Sequence, residues 1–214
     1  MKKPSIENTF IEFELMMSWD IDILMKLEKA KAVVKPREEK RTIFEAFVFR
    51  ICANWQILVE ELFINCLGKD TSMYKKYTGF DVPKHIPRDT CKAILLGTGY
   101  WDFKSVSDIK RQAKRILLPG CNPFKEIENI QEKKIDEFHA IRNYLAHYSD
   151  ASWRALKKIY QNEYGFNKFI EPGRFLLANE KKANIPRMGV YINNFTDTAD
   201  TMAKFLGIEV EERK

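Results

Sequence analysis

The chain of 214 residues has few of the residues that break regular structure, with only 9 Gly and 8 Pro. Hydrophobic residues make up 45% of it and charged residues 31%. Such a composition excludes a collagen-like or low-complexity chain and is typical of a globular, mostly helical protein. A chain of this length can bury one substantial core, so we expect a single domain over residues 1–214.

Cysteine is also scarce, and the spacing of the four cysteines fits no common metal-binding motif. Cys52, Cys66, Cys91 and Cys121 are far apart and form no C-x-x-C pair. This spacing argues against a zinc ribbon or a dithiol redox motif. We expect four reduced thiols, most of them buried.

The N-terminal segment lacks the apolar run of a signal peptide or a membrane span. Acidic residues interrupt it at Glu7, Glu12, Glu14, Asp20 and Asp22. We therefore expect a cytoplasmic protein with no membrane partner.

Several common site motifs are missing as well. There is no G-x-x-x-x-G-K-[ST] or G-x-G-x-x-G loop and no G-x-S-x-G elbow. His139 and His147 are eight residues apart with Asn143 between them, and this stretch offers no third strong zinc ligand. The sequence thus predicts no metal and no cofactor.

What the chain does contain is a strong helical pattern, with apolar residues every three or four positions. This pattern predicts an all-α fold with two long antiparallel N-terminal helices joined by a short turn. The expected helices cover residues 6–34, 38–68, 86–97, 105–118, 129–150, 152–163 and 191–207. Residues 69–85 are expected to form a loop, and residues 165–190 an irregular segment with a small hairpin around Phe175-Leu176-Leu177.

The expected helix ends follow from residue type. Ser5 is a cap for the first helix, Pro36 stops it, and Gly68 ends the second helix. Asn129 with Glu132 three positions later resembles a capping box that opens the fifth helix.

One segment of that fifth helix carries polar residues that no core needs. At about 100° per residue, Asn143 and His147 lie one turn apart on one side, and Arg142 lies at the border of that side. The opposite, apolar side carries Phe138, Ile141, Leu145 and Tyr148. A polar helix face is normally just solvated, so both a functional site and an ordinary surface are consistent with the residues. His139, on the polar side, is either a competing proton carrier or a surface imidazole.

Arg142, the polar Asn143 and the later His147 resemble the R-x4–6-H signature of the HEPN superfamily of all-α proteins. The resemblance covers roughly residues 38–150 and is closest in kind to HEPN proteins of prokaryotic defence and toxin systems. It also takes in residues 136–141, the aromatic-to-acidic stretch from Trp55 to Leu62, and Asn122-Pro123-Phe124.

This resemblance implies a metal-independent endoribonuclease that works as a homodimer, with Arg142, Asn143 and His147 in the site. It also implies that an acidic residue of the second helix, Glu61 or Glu60, helps to orient the motif. The alternative for both glutamates is an ordinary exposed position.

Chemistry supports the same expectation. RNA cleavage without a metal uses the neighbouring 2′-hydroxyl as nucleophile and needs a base, an acid and a cation near the phosphorane. Histidine suits either proton role, and one motif supplies one His at the expected position. Two motifs facing each other would supply an acid, a base and two guanidinium groups.

The formal net charge of +6 and the pI near 9.0 fit an acidic partner such as RNA, although many basic proteins bind none. Six basic residues are candidates for contacts with the RNA backbone: Lys110, Arg111, Lys114, Arg115, Lys157 and Lys158. The alternative for each is an ordinary position on a solvated helix face. An antitoxin or another defence-system protein is a further expected partner. In some HEPN toxins a Tyr two residues after the His is nucleotidylated; Ser149 occupies that position here, which argues against such regulation.

Two alternatives remain open from the sequence. One is a non-catalytic HEPN-like module that binds RNA, a nucleotide or a protein. The other is a helical dimerisation scaffold whose polar helix face is an interface.

Overall fold

The computed structural model describes residues 5–29, 36–97, 103, 105–180 and 184–209. Within these residues the fold is all-α, as predicted, and contains no β-strand. The helices are α1 (Ile6–Lys29), α2 (Pro36–Lys69), α3 (Ser72–Thr78), α4 (Arg88–Leu96), α5 (Val106–Ile116), α6 (Asn129–His147), α7 (Asp150–Tyr164), α8 (Pro172–Leu177) and α9 (Arg187–Phe205). Two short 3-10 turns, Pro119–Cys121 and Pro123–Glu126, precede α6.

The chain folds into two compact units. The terminal unit comprises Met1–Glu14, Trp55–Glu132 and Asp197–Lys214. The motif unit comprises Leu15–Asn54 and Lys133–Thr196 and holds Arg142, Asn143 and His147. Each unit has a buried apolar core of its own, and the single domain expected from length stays a prediction.

The terminal unit is built around aromatic rings. Phe13 meets Trp55 edge to face, with 6.3 Å between ring centroids, and Phe63 stacks on Phe124 at 4.6 Å. All four rings are fully buried. Helix α3 packs on α5, whose apolar face buries Val106, Ile109, Ala113 and Ile116.

In the motif unit, α1 and α2 run antiparallel. The buried Asp20 of α1 accepts hydrogen bonds from Arg50 Nε and, at 2.9 Å, from Asn54 Nδ2 of α2. One helical turn further along α1, Leu24 lines the same small apolar cavity as Phe44. Helices α6, α7, α8 and α9 complete this core with Ile135, Phe138, Ile141, Leu156, Tyr160, Phe175, Leu176, Tyr191 and Phe195, all buried.

The helix ends confirm one prediction and correct two. Ser5 caps α1, since its Oγ accepts the N–H of Asn8 at 3.0 Å. Pro36 opens α2 instead of stopping α1, because a missing N–H costs nothing in a first helical turn. Gly68 does not end α2; a Cβ there would lie 3.2 Å from Cys91 Sγ, so glycine permits a close approach of α4. Residues 30–34 of the predicted first helix lie outside the described residues.

Two segments expected to be irregular contain helices. The predicted loop over 69–85 holds α3, which ends at Gly79 in the left-handed conformation, with φ 76°. In residues 165–190, Pro172 opens α8, and the expected hairpin reduces to one antiparallel bridge between Asn179 and Pro186. The closing helix begins at Arg187, four residues before the predicted start, and α5 ends at Ile116, two residues early.

Helix α2 also passes a simple test for membrane helices. Its residues Glu38–Lys69 are long and apolar enough to cross a membrane, by length and composition only. However, 44% of its most apolar window is buried inside the protein. A core helix has the same property, and α2 supplies core residues such as Val48, Ile51, Leu58 and Leu62.

Candidate functional site

The three motif residues project from the outer side of α6. Asn143 and His147 are exposed and Arg142 is half-buried. The inner side of the helix buries Ile135, Phe138, Ile141, Tyr144 and Leu145. The prediction that the motif lies opposite the apolar stripe is therefore confirmed for the helix itself.

Tyr148 is the exception, because it is 65% exposed and not part of the stripe. Its φ of 45° takes the chain out of the helix immediately after His147, so the 100° spacing no longer applies. Ser149 then opens α7 in a capping box, with its Oγ accepting the N–H of Ser152 at 3.2 Å and Ser152 Oγ accepting the N–H of Ser149. His147 is thus the last residue of α6, and two helix ends fix the chain around it.

The start of α6 is capped one residue earlier than predicted. Gln131 Oε1 accepts the N–H of Glu128 at 2.9 Å, which is the reciprocal half of a capping box. Asn129 is the first helical residue. Glu132 is instead bound to Lys110 of α5, with 2.6 Å between Oε2 and Nζ.

Arg142 is hydrogen-bonded to the next residue, Asn143. Its Nη1 donates to Oδ1 of Asn143 at 3.2 Å. Burial raises the pKa of the Cys52 thiol to about 12, and the charge of Arg142 acts on it in the opposite direction. The guanidinium is thus near enough to Cys52 of α2 for its charge to act there, and its half-exposed position leaves it accessible to a ligand.

His147 is in a different situation. Its side chain forms no hydrogen bond or ion pair within the described part of the chain and is open to solvent. Asn143 lies one turn before it on the same exposed side. His139 is half-buried on the same helix, eight residues before His147. The structure thus brings Arg142 and Asn143 into contact and leaves His147 available beside them.

A buried carboxylate anchors α6 in the motif unit. Glu137 is 3% exposed, and its Oε2 accepts hydrogen bonds from Lys134 Nζ at 2.8 Å, Tyr164 OH at 3.0 Å and Tyr191 OH at 3.1 Å. Lys134 also donates to Tyr164 OH at 2.9 Å. These bonds tie α6 to α7 and α9, so the helix that carries the motif has a fixed rotation.

Sequence reasoning missed this network. The polar residues Lys134 and Glu137 are three apart on α6, which reads as an ordinary i, i+3 surface pair. The tyrosines come from helices that are near only in the folded chain. The one signal of burial in the sequence was that Glu137 stands directly before the core residue Phe138.

Glu61 and Glu60 lie in the terminal unit, and neither is an ordinary exposed glutamate. Glu61 accepts two hydrogen bonds from the guanidinium of Arg88, the first residue of α4. Glu60 lies 3.7 Å from Lys92 Nζ, one turn further along α4. Both carboxylates are half-buried and join α2 to α4, and their suggested role in orienting the motif stays a prediction.

The basic candidates on α5 also belong to the terminal unit, and most of them have local partners. Lys110 binds Glu132, and Arg111 binds Asp108. Arg115 lies 5.4 Å from the centre of the Tyr77 ring, and Lys114 is exposed. In the motif unit, the half-buried Lys157 lies 4.7 Å from the centre of the Trp153 ring, and Lys158 is exposed.

Aromatic rings surround the end of the motif helix. Tyr148 and Tyr144 meet edge to face with 5.2 Å between ring centroids, and Tyr144 meets Phe169 in the same way at 5.2 Å. Phe169 in turn lies 5.5 Å from the Trp153 ring of α7. The sequence did not predict this cluster, because Phe169 reaches α6 from the segment that was expected to be irregular.

The cysteines confirm the prediction of reduced thiols. All four are free; Cys52, Cys66 and Cys91 are buried and Cys121 is half-buried. Among the described residues, no three His, Cys, Asp or Glu side chains gather as a metal site would require.

Comparison with known proteins gives no relative. No protein-family model, no curated protein and no solved structure matches the chain.

Proposed function

We propose that the protein is a metal-independent endoribonuclease of HEPN type that acts as a homodimer with a composite site. The observation that carries the proposal is the arrangement at the end of α6. Arg142 is half-buried and bonded to Asn143, while His147 is exposed beside them with a free imidazole in the described structure. A guanidinium and an imidazole next to each other on a rigid helix fit a scissile phosphate and its proton transfers.

The proposed reaction begins with the 2′-hydroxyl of the nucleotide before the scissile phosphate. His147 of one copy takes the hydroxyl proton as its oxygen attacks phosphorus. Arg142 binds the phosphate oxygens and stabilises the charge that grows on them in the phosphorane. His147 of the second copy donates a proton to the departing 5′-oxygen, which leaves a 2′,3′-cyclic phosphate and a 5′-hydroxyl.

A second copy needs a surface to bind, and the motif unit offers one beside Arg142. On α2, Phe49 and Ala53 are exposed. At about 100° per residue they lie between Cys52, which is beside Arg142, and Arg50, which binds Asp20 of α1. This places an exposed apolar strip of α2 between α6 and α1.

Helix α1 extends this strip with Leu15, Trp19 and Ile23, spaced four residues apart and all exposed, Trp19 by 62%. We call Leu15, Trp19, Ile23, Phe49 and Ala53 the docking face. A standard interface buries roughly 800 Å² on each partner, a little over half of it apolar, and a group of neighbouring exposed apolar side chains is the surface from which such an interface is built. At its rim Asp22 pairs with Lys26 and Arg50 pairs with Asp20, so the face carries charges of both signs.

The setting that we propose is a prokaryotic defence or toxin–antitoxin system, which rests on the HEPN resemblance. The proposed cytoplasmic location rests on the charged N-terminal segment. The basic residues of the chain would contact the RNA backbone. Lys114 and Lys158, which are exposed, are stronger candidates than Lys110 and Arg111, which are bound to carboxylates.

The test is cleavage of a structured RNA by the purified chain in excess EDTA. We expect products that end in a 2′,3′-cyclic phosphate from the wild type and none from His147→Ala. A wild type no more active than His147→Ala would rule out the proposed reaction. If neither protein cleaves RNA but both bind it equally, and the binding weakens as salt rises, the chain is instead a non-catalytic RNA-binding module.

A further inference from the structure

Tyr148 follows His147 directly and is the first of the two residues between α6 and α7. Its φ of 45° lies in the left-handed region, where a bulky side chain is an outlier and Gly or Asn is the usual residue. Its N–H still donates to the carbonyl of Tyr144 at 2.8 Å, and the Ser149 capping box follows at once. Glycine would adopt this backbone conformation without strain, so the presence of a tyrosine here points to a role for its ring.

The ring of Tyr148 is both supported and open. Tyr144, which is buried, holds it edge to face at 5.2 Å and is itself held by Phe169. The Tyr148 side chain nevertheless exposes 65% of its surface. A fixed aromatic ring with an accessible face is the kind of surface on which unpaired bases stack in complexes with single-stranded nucleic acids.

The charges near the ring favour a base over a phosphate. Burial raises the pKa of the Tyr148 hydroxyl, and the nearby carboxylates of Glu45 and Glu171 raise it further. The negative charge of these carboxylates disfavours a phosphate at the ring, and a carboxylate oxygen can accept a hydrogen bond from the amino group of a base. The phosphate would instead meet Arg142, more than one turn earlier on α6.

The sequence neighbours of Tyr148 add no apolar surface around the ring. Ala146, His147, Ser149 and Asp150 are all exposed and are small or polar. The ring therefore has no exposed apolar neighbour in sequence, and beneath it lie the buried Tyr144 and, beyond Tyr144, the half-buried Phe169. A single open ring suits one planar ligand.

We propose that Tyr148 is a base-stacking residue and that the substrate is single-stranded RNA, with the unpaired base next to the scissile phosphate stacked on this ring. The inference rests on the proposed function and gives its site a residue that binds a base. Bases in a duplex are stacked on each other and present no free face, so paired RNA would not use Tyr148.

The experiment measures binding separately from cleavage. An unpaired RNA oligonucleotide that carries 2-aminopurine is titrated with the full-length His147→Ala protein in EDTA. Tyr148→Phe is then compared with Tyr148→Asn in the same background. Phe keeps the ring and loses only the hydroxyl, while Asn tolerates the left-handed backbone and removes the ring. A thermal melt of each variant shows that it is folded.

We expect Tyr148→Phe to bind like its parent and to quench the 2-aminopurine fluorescence. Tyr148→Asn should bind roughly 5- to 100-fold more weakly and lose the quenching, as removal of one base-stacking ring predicts. Its melting temperature should stay close to that of the parent, and binding of double-stranded RNA should not change. The inference is wrong if Tyr148→Asn binds unpaired RNA like the parent, if no variant binds it, or if Tyr148→Asn changes only the oligomeric state.

The proposed function can fail separately. Ring-dependent binding without any cleavage by the wild type would keep the stacking role and remove the catalytic proposal. Cleavage by the wild type that persists unchanged in Tyr148→Asn would keep the catalytic proposal and remove the stacking role.

Discussion

Arg142 and Asn143 are hydrogen-bonded to each other on the outer side of α6, with 3.2 Å between Nη1 and Oδ1. The bond occupies one edge of the guanidinium with a neutral acceptor and leaves its charge uncompensated. A carboxylate in the same position would pair with that charge and repel a phosphate.

This relationship predicts an order among variants of Asn143. Asn143→Ala should lower the RNA cleavage rate a few-fold, because Arg142 loses a positioning contact. Asn143→Asp should lower it by about tenfold or more, since it neutralises the phosphate-binding cation. Initial rates in EDTA measure the difference. Equal rates for the two variants would show that Arg142 does not bind the phosphate.

The buried network around Glu137 predicts a loss of stability in alkali. Burial raises the pKa of Tyr191 well above 10.0 and also raises that of Tyr164. Burial lowers the pKa of Lys134, but its bonds to Glu137 and Tyr164 outweigh this, and the net shift is upward from 10.5. Above pH 10 the folded chain therefore holds more protons than the unfolded chain.

Because the folded state binds more protons in that range, the free energy of unfolding should fall as pH rises above 10, by at most about 1.4 kcal/mol per pH unit for each group. Between pH 7 and 9 these groups should cause no change in the free energy of unfolding with pH. Urea unfolding at pH 8, 10 and 11 measures this, with Tyr164→Phe as the control. A variant without the Tyr164 hydroxyl should lose less stability between pH 10 and 11. An identical slope would show that the network is not formed.

The cysteines offer a chemical check of the fold. Burial raises the pKa of the Cys52 and Cys66 thiols to about 12, and Cys91 is also buried. The thiolate is the reactive form, so these three should resist iodoacetamide at pH 8 in the native protein. The half-buried Cys121 should be alkylated first. Peptide mass spectrometry after short labelling measures the order, and rapid labelling of Cys52 would contradict the described packing of α2.

The docking face predicts the effect of a charge at Trp19. Trp19→Asp removes the largest exposed ring of that face and should convert a dimer to a monomer in sedimentation velocity runs at micromolar concentration. The matched control is Phe80→Asp, since Phe80 is 66% exposed and belongs to the terminal unit. It should leave the dimer intact. A dimer that survives Trp19→Asp would place the interface elsewhere.

The sequence predicted the helical class, the approximate positions of most helices and the exposed side of α6, because helical periodicity is a local property. Predictions failed where the role or exposure of a residue depends on a contact with a distant part of the chain or on a local turn of the backbone. Gly68 reads as a terminator from sequence, but the approach of Cys91 explains it. Tyr148 reads as a core residue at helical spacing, but the left-handed turn after His147 turns it outward.

The site was predictable only in part for the same reason. Arg142, Asn143 and His147 are close in sequence, so their spacing on one helix was sufficient to find them. Glu137, Tyr164 and Tyr191 come from three helices, and Glu61 binds an arginine 27 positions away. The helical periodicity of the sequence gives no information about pairs of residues from different helices.

The central claim, that two copies of Arg142 and His147 form one ribonuclease site, is tested most directly by mixing wild-type and His147→Ala chains at constant total concentration. The chains are mixed under conditions that allow dimers to exchange, and RNA cleavage is measured in EDTA. If each site needs His147 from both copies, an equal mixture should retain about one quarter of the wild-type activity, the share of dimers with two intact motifs. About one half would mean that each chain works alone and would contradict the composite site. A wild type no more active than His147→Ala would contradict the ribonuclease itself.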